Sequence, residues 1–354
     1  MAVDSVRRTE AIVRARGVSR PWRLLSAAFL AGALLVGLGV GPVGIGAWGI
    51  VESALSHLPF VHVHSPLSAL QEAVLWQIRA PRVMLAALVG GMLAIAGSAY
   101  QGVFHNPLAD PYLLGVAAGS GLGATLAIAY GHVDRSGQLL PLAAFVGGLP
   151  AVAFTYVLGR SAGVARAAGA LVLAGVTVTL FLSAIQTFVQ QQHSNTLRDV
   201  YAWLLGGFST AGWKQVAVAA PYVGVSSLAL VLHRRVLDVL SVGDEEASSL
   251  GVNVPRLRLL LVIAATAGTA AAVSVSGLIA FVGIIVPHTI RLLVSTSYRA
   301  VVPLSLVVGA GFLVLADVLA RTVISPAELP IGVVTAFFGA PFFAIVLRTA
   351  RSVR

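Results

Sequence analysis

Uncharged apolar runs of ~20 residues, the length a helix needs to cross a hydrocarbon core, recur along the whole of this 354-residue chain. Such runs restrict the fold class. Inside a bilayer the backbone must satisfy its own hydrogen bonds, and a helix does so within one segment. Hydrophobic residues make up 58% of the chain and charged residues 10%, against about 25% charged in a soluble domain. Mean hydropathy is +0.92. A chain this poor in charge cannot cover a water-facing surface, so the sequence predicts an all-α polytopic membrane protein.

Hydropathy predicts ten spans, at about 22–42, 82–102, 111–130, 139–158, 169–190, 214–232, 257–275, 277–293, 301–320 and 330–348. The stretch from Leu257 to Val286 is too long for one crossing and is broken at the Ser/Gly-rich step Ser274–Gly277. A membrane domain over 22–348 therefore follows a basic segment (1–21) and precedes a short tail (349–354), with the longest loops at about 43–81, 191–213 and 233–256. Arg7, Arg8, Arg14, Arg16, Arg20 and Arg23 before an apolar run resemble a signal peptide. The run from Trp22 to Pro42 exceeds the ~7–15 residues of such a segment and no small-residue cleavage site follows, so it reads as a retained first helix.

The formal net charge of +10 would point to nucleic acid in a soluble protein. Here it sorts by side. With both termini inside, 17 of the 23 Lys and Arg fall on the cytoplasmic face, among them Arg234, Arg235, Arg256, Arg258, Arg291 and Arg299, and 6 fall outside. The charge is thus a topology signal, and no nucleic-acid partner is expected.

Several chemistries are excluded. The chain has no cysteine, hence no disulfide, thiolate catalysis or cysteine metal site. It lacks a Gly-x-x-x-x-Gly-Lys-Ser/Thr loop, and its lone lysine, Lys214, follows Trp213. ATP, if it drives this protein, binds another chain. His57, His62 and His64 have no fourth ligand at metal-like spacing and read as solvated loop residues. His288, after Pro287, reads as a helix-packing donor. Asp317 is the carboxylate well inside a span, and Arg321 at i+4 can neutralise it. That leaves little for an ion-coupled secondary transporter, which normally places several ionisable groups at mid-membrane. A membrane enzyme would want clustered carboxylates or histidines at one face, and none is seen. Gly115, Gly119 and Gly123, four apart, predict close helix packing. Spans two to five and seven to ten run in opposite orientation, which permits an inverted repeat.

The most distinctive residues lie at membrane boundaries. His105-Asn106-Pro107-Leu108-Ala109-Asp110-Pro111 joins spans two and three in a tight non-helical connection, since two prolines forbid a helix there. Val242-Gly243-Asp244-Glu245-Glu246-Ala247-Ser248-Ser249-Leu250-Gly251-Val252 predicts a short capped helix with Ala247 and Leu250 on one apolar face. Pro287-His288-Thr289-Ile290-Arg291, Asp317-Val318-Leu319-Ala320-Arg321 and Glu328-Leu329-Pro330-Ile331-Gly332-Val333-Val334-Thr335 follow.

At these motifs, from about Arg79 to Arg348, the chain resembles the FecCD-type permeases that import ferric siderophores, haem and vitamin B12. The resemblance implies a type II ABC importer permease fold with ten helices per subunit, in the bacterial inner membrane. It implies a homodimer, two cytosolic ATPases holding ATP and Mg, and an extracytoplasmic binding protein that delivers the ligand; this chain needs no cofactor. It assigns binding-protein docking to Arg79 and Arg82, in Arg-x-x-Arg, and to Arg321. It assigns a translocation gate to Asn106 and Leu108, and a second constriction to Ala168 and Gly169, where the B12 importer has hydroxylated residues instead. ATPase coupling falls on Gly243, Asp244, Ala247, Leu250 and Gly251.

Overall fold

The structure, a computed structural model, describes residues 18–57, 65–131, 138–161 and 167–351. Arg7, Arg8, Arg14, Arg16, His62 and His64 lie outside the described residues. Among the described residues all regular structure is helical. In chain order the helices are α1 (Arg20–Gly39), α2 (Ala47–Ser56), α3 (Ala69–Val103), α4 (Val116–Tyr130), α5 (Leu139–Ser161), α6 (Ala167–Gln192) and α7 (Leu197–Leu204). They continue as α8 (Trp213–Leu232), α9 (Arg234–Leu240), α10 (Asp244–Ser249), α11 (Val254–Ser276), α12 (Val282–Leu293), α13 (Tyr298–Thr322) and α14 (Ile331–Arg351).

The centre of the bundle is α3. Every residue from Val89 to Val103 is buried, as expected for a helix that is apolar all round. Small residues make this possible. A Cβ on Gly90 would lie 2.4 Å from the Gly309 carbonyl oxygen, and one on Gly97 would lie 2.1 Å from that of Gly283. The backbones of α13 and α12 therefore touch α3 directly, and α8 and α11 close the ring around it. A second group, α4 with α5 and α6, packs beside this core. In it Gly119 and Gly123 serve as the spacing predicts, because a Cβ at either would strike the backbone of Gly147 or Ala143. Gly115 does not pack: it starts α4 at φ +83°, a left-handed conformation that favours glycine. On the periphery, α1 lies against α13 and leaves most of its surface exposed.

Among the described residues, seven helices are long and apolar enough to cross a membrane: α1, α3, α5, α6, α8, α11 and α13. The segments predicted at 111–130, 277–293 and 330–348 fall on three shorter apolar helices. Two of those predictions start too early, for the same reason. Pro111–Leu114 forms a 3-10 turn before Gly115 delays α4 to Val116. Gly277 at φ +68° ends α11, and Phe281, also left-handed, delays α12 to Val282. The stretches predicted as long loops are partly helical. They hold α2, the first turns of α3, α7, α9 and α10. The start of α3 has a legible signal in Ser68 and Gln71, which form a reciprocal capping box.

Candidate functional site

Two charged regions lie at opposite ends of α3. The first begins where Val74–Arg79 widens into a π-helical turn, a local insertion that re-aims the side chains after it. Arg79 turns inward. Its guanidinium donates to the carbonyls of Leu38 (2.9 Å), Gly39 (3.0 Å) and Val43 at the end of α1. The chain wraps it so closely that a Cβ on Gly41 would fall 2.4 Å from Nη2. Arg82, 8% exposed, uses its whole fork. Nε and Nη2 donate to the Asp317 carboxylate at 2.8–3.1 Å, and Nη1 and Nη2 donate to Glu328 at 2.8 and 3.0 Å. Such bidentate pairs are among the strongest polar contacts.

Arg321 completes the group. It donates to the Gly37 carbonyl, and its Nε lies 3.3 Å from Asp317 without hydrogen-bond alignment. The predicted Asp317–Arg321 pair thus exists, but the stronger partner of Asp317 is Arg82. All three predicted docking arginines lie at one end of the bundle, each hydrogen-bonded within the chain: Arg79 to backbone carbonyls, Arg82 to Asp317 and Glu328, and Arg321 to the Gly37 carbonyl beside Asp317. Glu328, the most accessible member, has a side chain 38% exposed. Its sequence signal was the Glu-Leu-Pro-Ile-Gly motif, which names no partner.

The second region is the connection after α3. Asn106 Oδ1 accepts from Leu108 N at 2.9 Å and Asp110 Oδ1 from Tyr112 N at 2.9 Å, two local turns that replace helical bonds the prolines forbid. Buried Gln101 ties the connection to its neighbours: it donates to the carbonyls of Ala109 (3.3 Å) and Gly283 (2.9 Å) and accepts from Arg291. The Tyr112 hydroxyl donates to the Ile279 carbonyl at 3.0 Å and accepts from the Ile279 amide at 2.9 Å, locking the connection to the α11–α12 break. Burial holds the Asp110 carboxyl up at about 6, against the hydrogen bond from Tyr112 N that favours its ionised form.

Asn106 also lines a small cavity of about 120 Å³ with Leu171 and Val172 of α6. Ala168 and Gly169 lie in the first turn of that helix; their side chains lie outside the described residues. The structure thus brings the predicted gate segment to the start of α6. Leu108 is half-buried and is not part of that cavity.

Beyond this connection lie α9 and α10. His105 meets the Leu240 carbonyl, and Asp238 accepts from Ser297 Oγ (2.8 Å) and Tyr298 N (2.6 Å), capping α13 from another helix. Gly243, at φ +140°, precedes α10, and Gly251, at φ +81°, follows it. Asp244 is paired with Arg258 at 2.8 Å. One expectation is corrected here. Ala247 and Leu250 do not share an exposed apolar face: Ala247 is fully buried, whereas Leu250 is 71% exposed. With only six residues in α10, Leu250 falls at the C-cap, where helical periodicity no longer sets direction.

Among the described residues, no group of three or more His, Cys, Asp or Glu could hold a metal ion. His57 packs against Trp76, with ring centroids 4.8 Å apart, and His288 meets Phe342 edge-on.

The chain has relatives over about four-fifths of its length. It is 41% identical over 276 residues to the uncharacterized ABC transporter permease YvrB of Bacillus subtilis, covering 77% of this chain and 78% of that one. It is 41% identical over 277 residues to the cobalamin import permease BtuC of Halobacterium salinarum (78% and 74% covered). It is 38% identical over 287 residues to the vitamin B12 import permease BtuC of Salmonella typhi (80% and 87% covered). Among solved structures, it superimposes with a TM-score of 0.80 and 29% identity on an inward-facing conformation described as a metal-chelate type ABC transporter, over 92% of this chain and 98% of that one. The FecCD transport family profile matches residues 28–349, which takes in both charged ends of α3 and every motif between them. The chain therefore belongs to the FecCD transport family, the permeases of ABC importers.

Proposed function

We propose that this permease imports cobalamin or another large metal chelate, with a siderophore or haem as the other members of that class. Two copies of the chain would work with two copies of a separate ATPase, which holds ATP and Mg, and would receive ligand from an extracytoplasmic binding protein. The observation that carries this reading is the joint presence, on one buried helix, of an arginine-rich outer end and a constricted connection at the inner end. A central helix of this kind can transmit a rim contact to a gate. Ten crossings with both termini inside fit the reading, with α4, α12 and α14 as the short spans. The relatives that import cobalamin favour that ligand.

The ion-coupled alternative finds little support, because Asp317 is held by two arginines rather than facing a cavity. The test is uptake into proteoliposomes containing the permease, its ATPase and its binding protein, comparing cyanocobalamin, a ferric hydroxamate and haemin. ATP-dependent accumulation of cyanocobalamin is expected, and the permease should co-purify as a dimer with two ATPases. Accumulation driven by a proton or sodium gradient without ATP would refute the mechanism. ATP-dependent uptake of haemin or the ferric chelate alone would keep the mechanism and change the ligand.

A further inference from the structure

At the His105 end of the bundle, α1, α9 and α13 line a cavity of about 560 Å³ that contains none of the predicted gate or docking residues. Arg23, Arg234, Arg235 and Arg299 line it, with Ala27 and Pro303 among its apolar walls. Among the described residues, the ion pair these four arginines form is that of Arg299 with Asp238, 3.2 Å from Nε, and that carboxylate is already bound to Ser297 and the Tyr298 amide. Arg299 Nε has no aligned hydrogen bond, and Arg234 donates to the Val231 carbonyl at 3.1 Å. Arg23 and Arg235 are exposed and, among the described residues, are in no ion pair. Like charges gathered in one cavity repel unless an anion joins them.

The cavity's surroundings indicate which anion. It opens beside α1, whose Leu24 is 72% exposed, one residue beyond Arg23. Basic groups at helix ends that continue into a lipid-facing apolar surface match an amphiphile with an anionic head, whereas a soluble anion would have no use for the apolar side. Arginine forks also fit phosphate oxygens in bidentate fashion.

We propose that this cavity binds an anionic phospholipid, with the phosphodiester held by Arg23, Arg234, Arg235 and Arg299 and an acyl chain laid along the Leu24 side of α1. The pairing would neutralise the cluster and fasten α1, the least embedded helix, to α9 and α13.

The test uses full-length protein, delipidated and titrated with phosphatidylglycerol or phosphatidylethanolamine, with bound lipid counted by native mass spectrometry. Wild type should retain phosphatidylglycerol preferentially, and Arg23→Gln with Arg235→Gln should lower that retention about tenfold or more. Both residues are exposed, so the lipid-free variant should keep the thermal midpoint of lipid-free wild type, and Arg23→Lys with Arg235→Lys should keep most of the retention. Equal retention of the two lipids, or of phosphatidylglycerol by the Gln variant, overturns the proposal. Displacement of bound lipid by millimolar inorganic phosphate would assign the cavity to a soluble anion instead. Loss of ATPase co-purification in the Gln variant, with lipid retention unchanged, would make the arginines a protein contact and also overturn it.

Discussion

At the scale of single residues, Glu328 is the member of the rim cluster best placed to change partners. Arg82 is held on its buried side by Asp317 and on its more accessible side by Glu328. A carboxylate of a docking protein could replace Glu328 without disturbing Asp317. Glu328→Gln should therefore tighten binding-protein affinity and steepen its loss with salt, since the arginine loses an internal competitor. Affinity and salt slope unchanged from wild type would separate the cluster from docking. Charge reversal at Arg82 tests this poorly, because breaking a buried pair costs about 3–5 kcal/mol and would report on folding. Asp110 gives a pH-dependent prediction. Its folded-state value, about 6, lies above the ordinary 3.8, so folding favours the protonated carboxyl. The stabilisation is complete below pH 3.8 and is lost as pH rises through about 6, by at most about 3 kcal/mol. Asp110→Asn keeps a capping oxygen and should flatten the melting temperature between about pH 4 and 6; an unchanged pH slope there would show that Asp110 is not the group responsible. The arginines themselves were singled out by the resemblance to the family, Arg79 and Arg82 in Arg-x-x-Arg and Arg321 four residues after Asp317. Their partners were not, because Arg82 and Asp317 lie 235 residues apart and no periodicity links them.

Among the elements, the clearest lesson comes from α10. A capped acidic helix was legible from Gly243, the three acids and Gly251. The direction of its side chains was not, because a helix of less than two turns takes its orientation from packing rather than from periodicity. The mutational expectations for the two apolar positions therefore diverge. Leu250→Asp alters an exposed side chain and should lower ligand-stimulated ATP hydrolysis while expression and membrane insertion stay normal. Ala247→Arg would bury an unpaired charge and should fail to yield folded protein at all. ATP hydrolysis at wild-type levels in the Leu250 variant would remove α10 from the coupling contact. The long spans were legible within a few residues because lipid imposes both length and apolarity, except for the start of α3, whose first turns from Ala69 fall in the stretch predicted as a loop. The short helices α4 and α12 were mislocated because left-handed residues postpone their starts. Each follows a long helix and a non-helical break, the arrangement expected where two halves of a transporter repeat one plan.

On the scale of the whole molecule, lipid-facing and protein-facing helices differ in what their sequence reveals. Nearly all of α1 reads as a simple apolar span, while α3 carries glycines, Ser98, Tyr100 and Gln101 because it touches protein on every side. Hydropathy alone cannot distinguish these roles, nor can small residues, which are as dense in α1 as in α3; the polar Tyr100 and Gln101 inside the apolar run of α3 are the hint to its central position. The long reach of the Arg82 contacts also has a bearing on how the chain is made. A ribosome delivers α3 to the membrane well before Asp317 and Glu328 have been synthesised. During that interval Arg82 has no carboxylate to meet, and α3 must wait near the bilayer surface or beside the insertion machinery with its charged end in water. The last third of the polypeptide then acts as an internal chaperone for the second crossing, and a nascent chain stalled before α13 would present a degradation signal that the finished protein conceals.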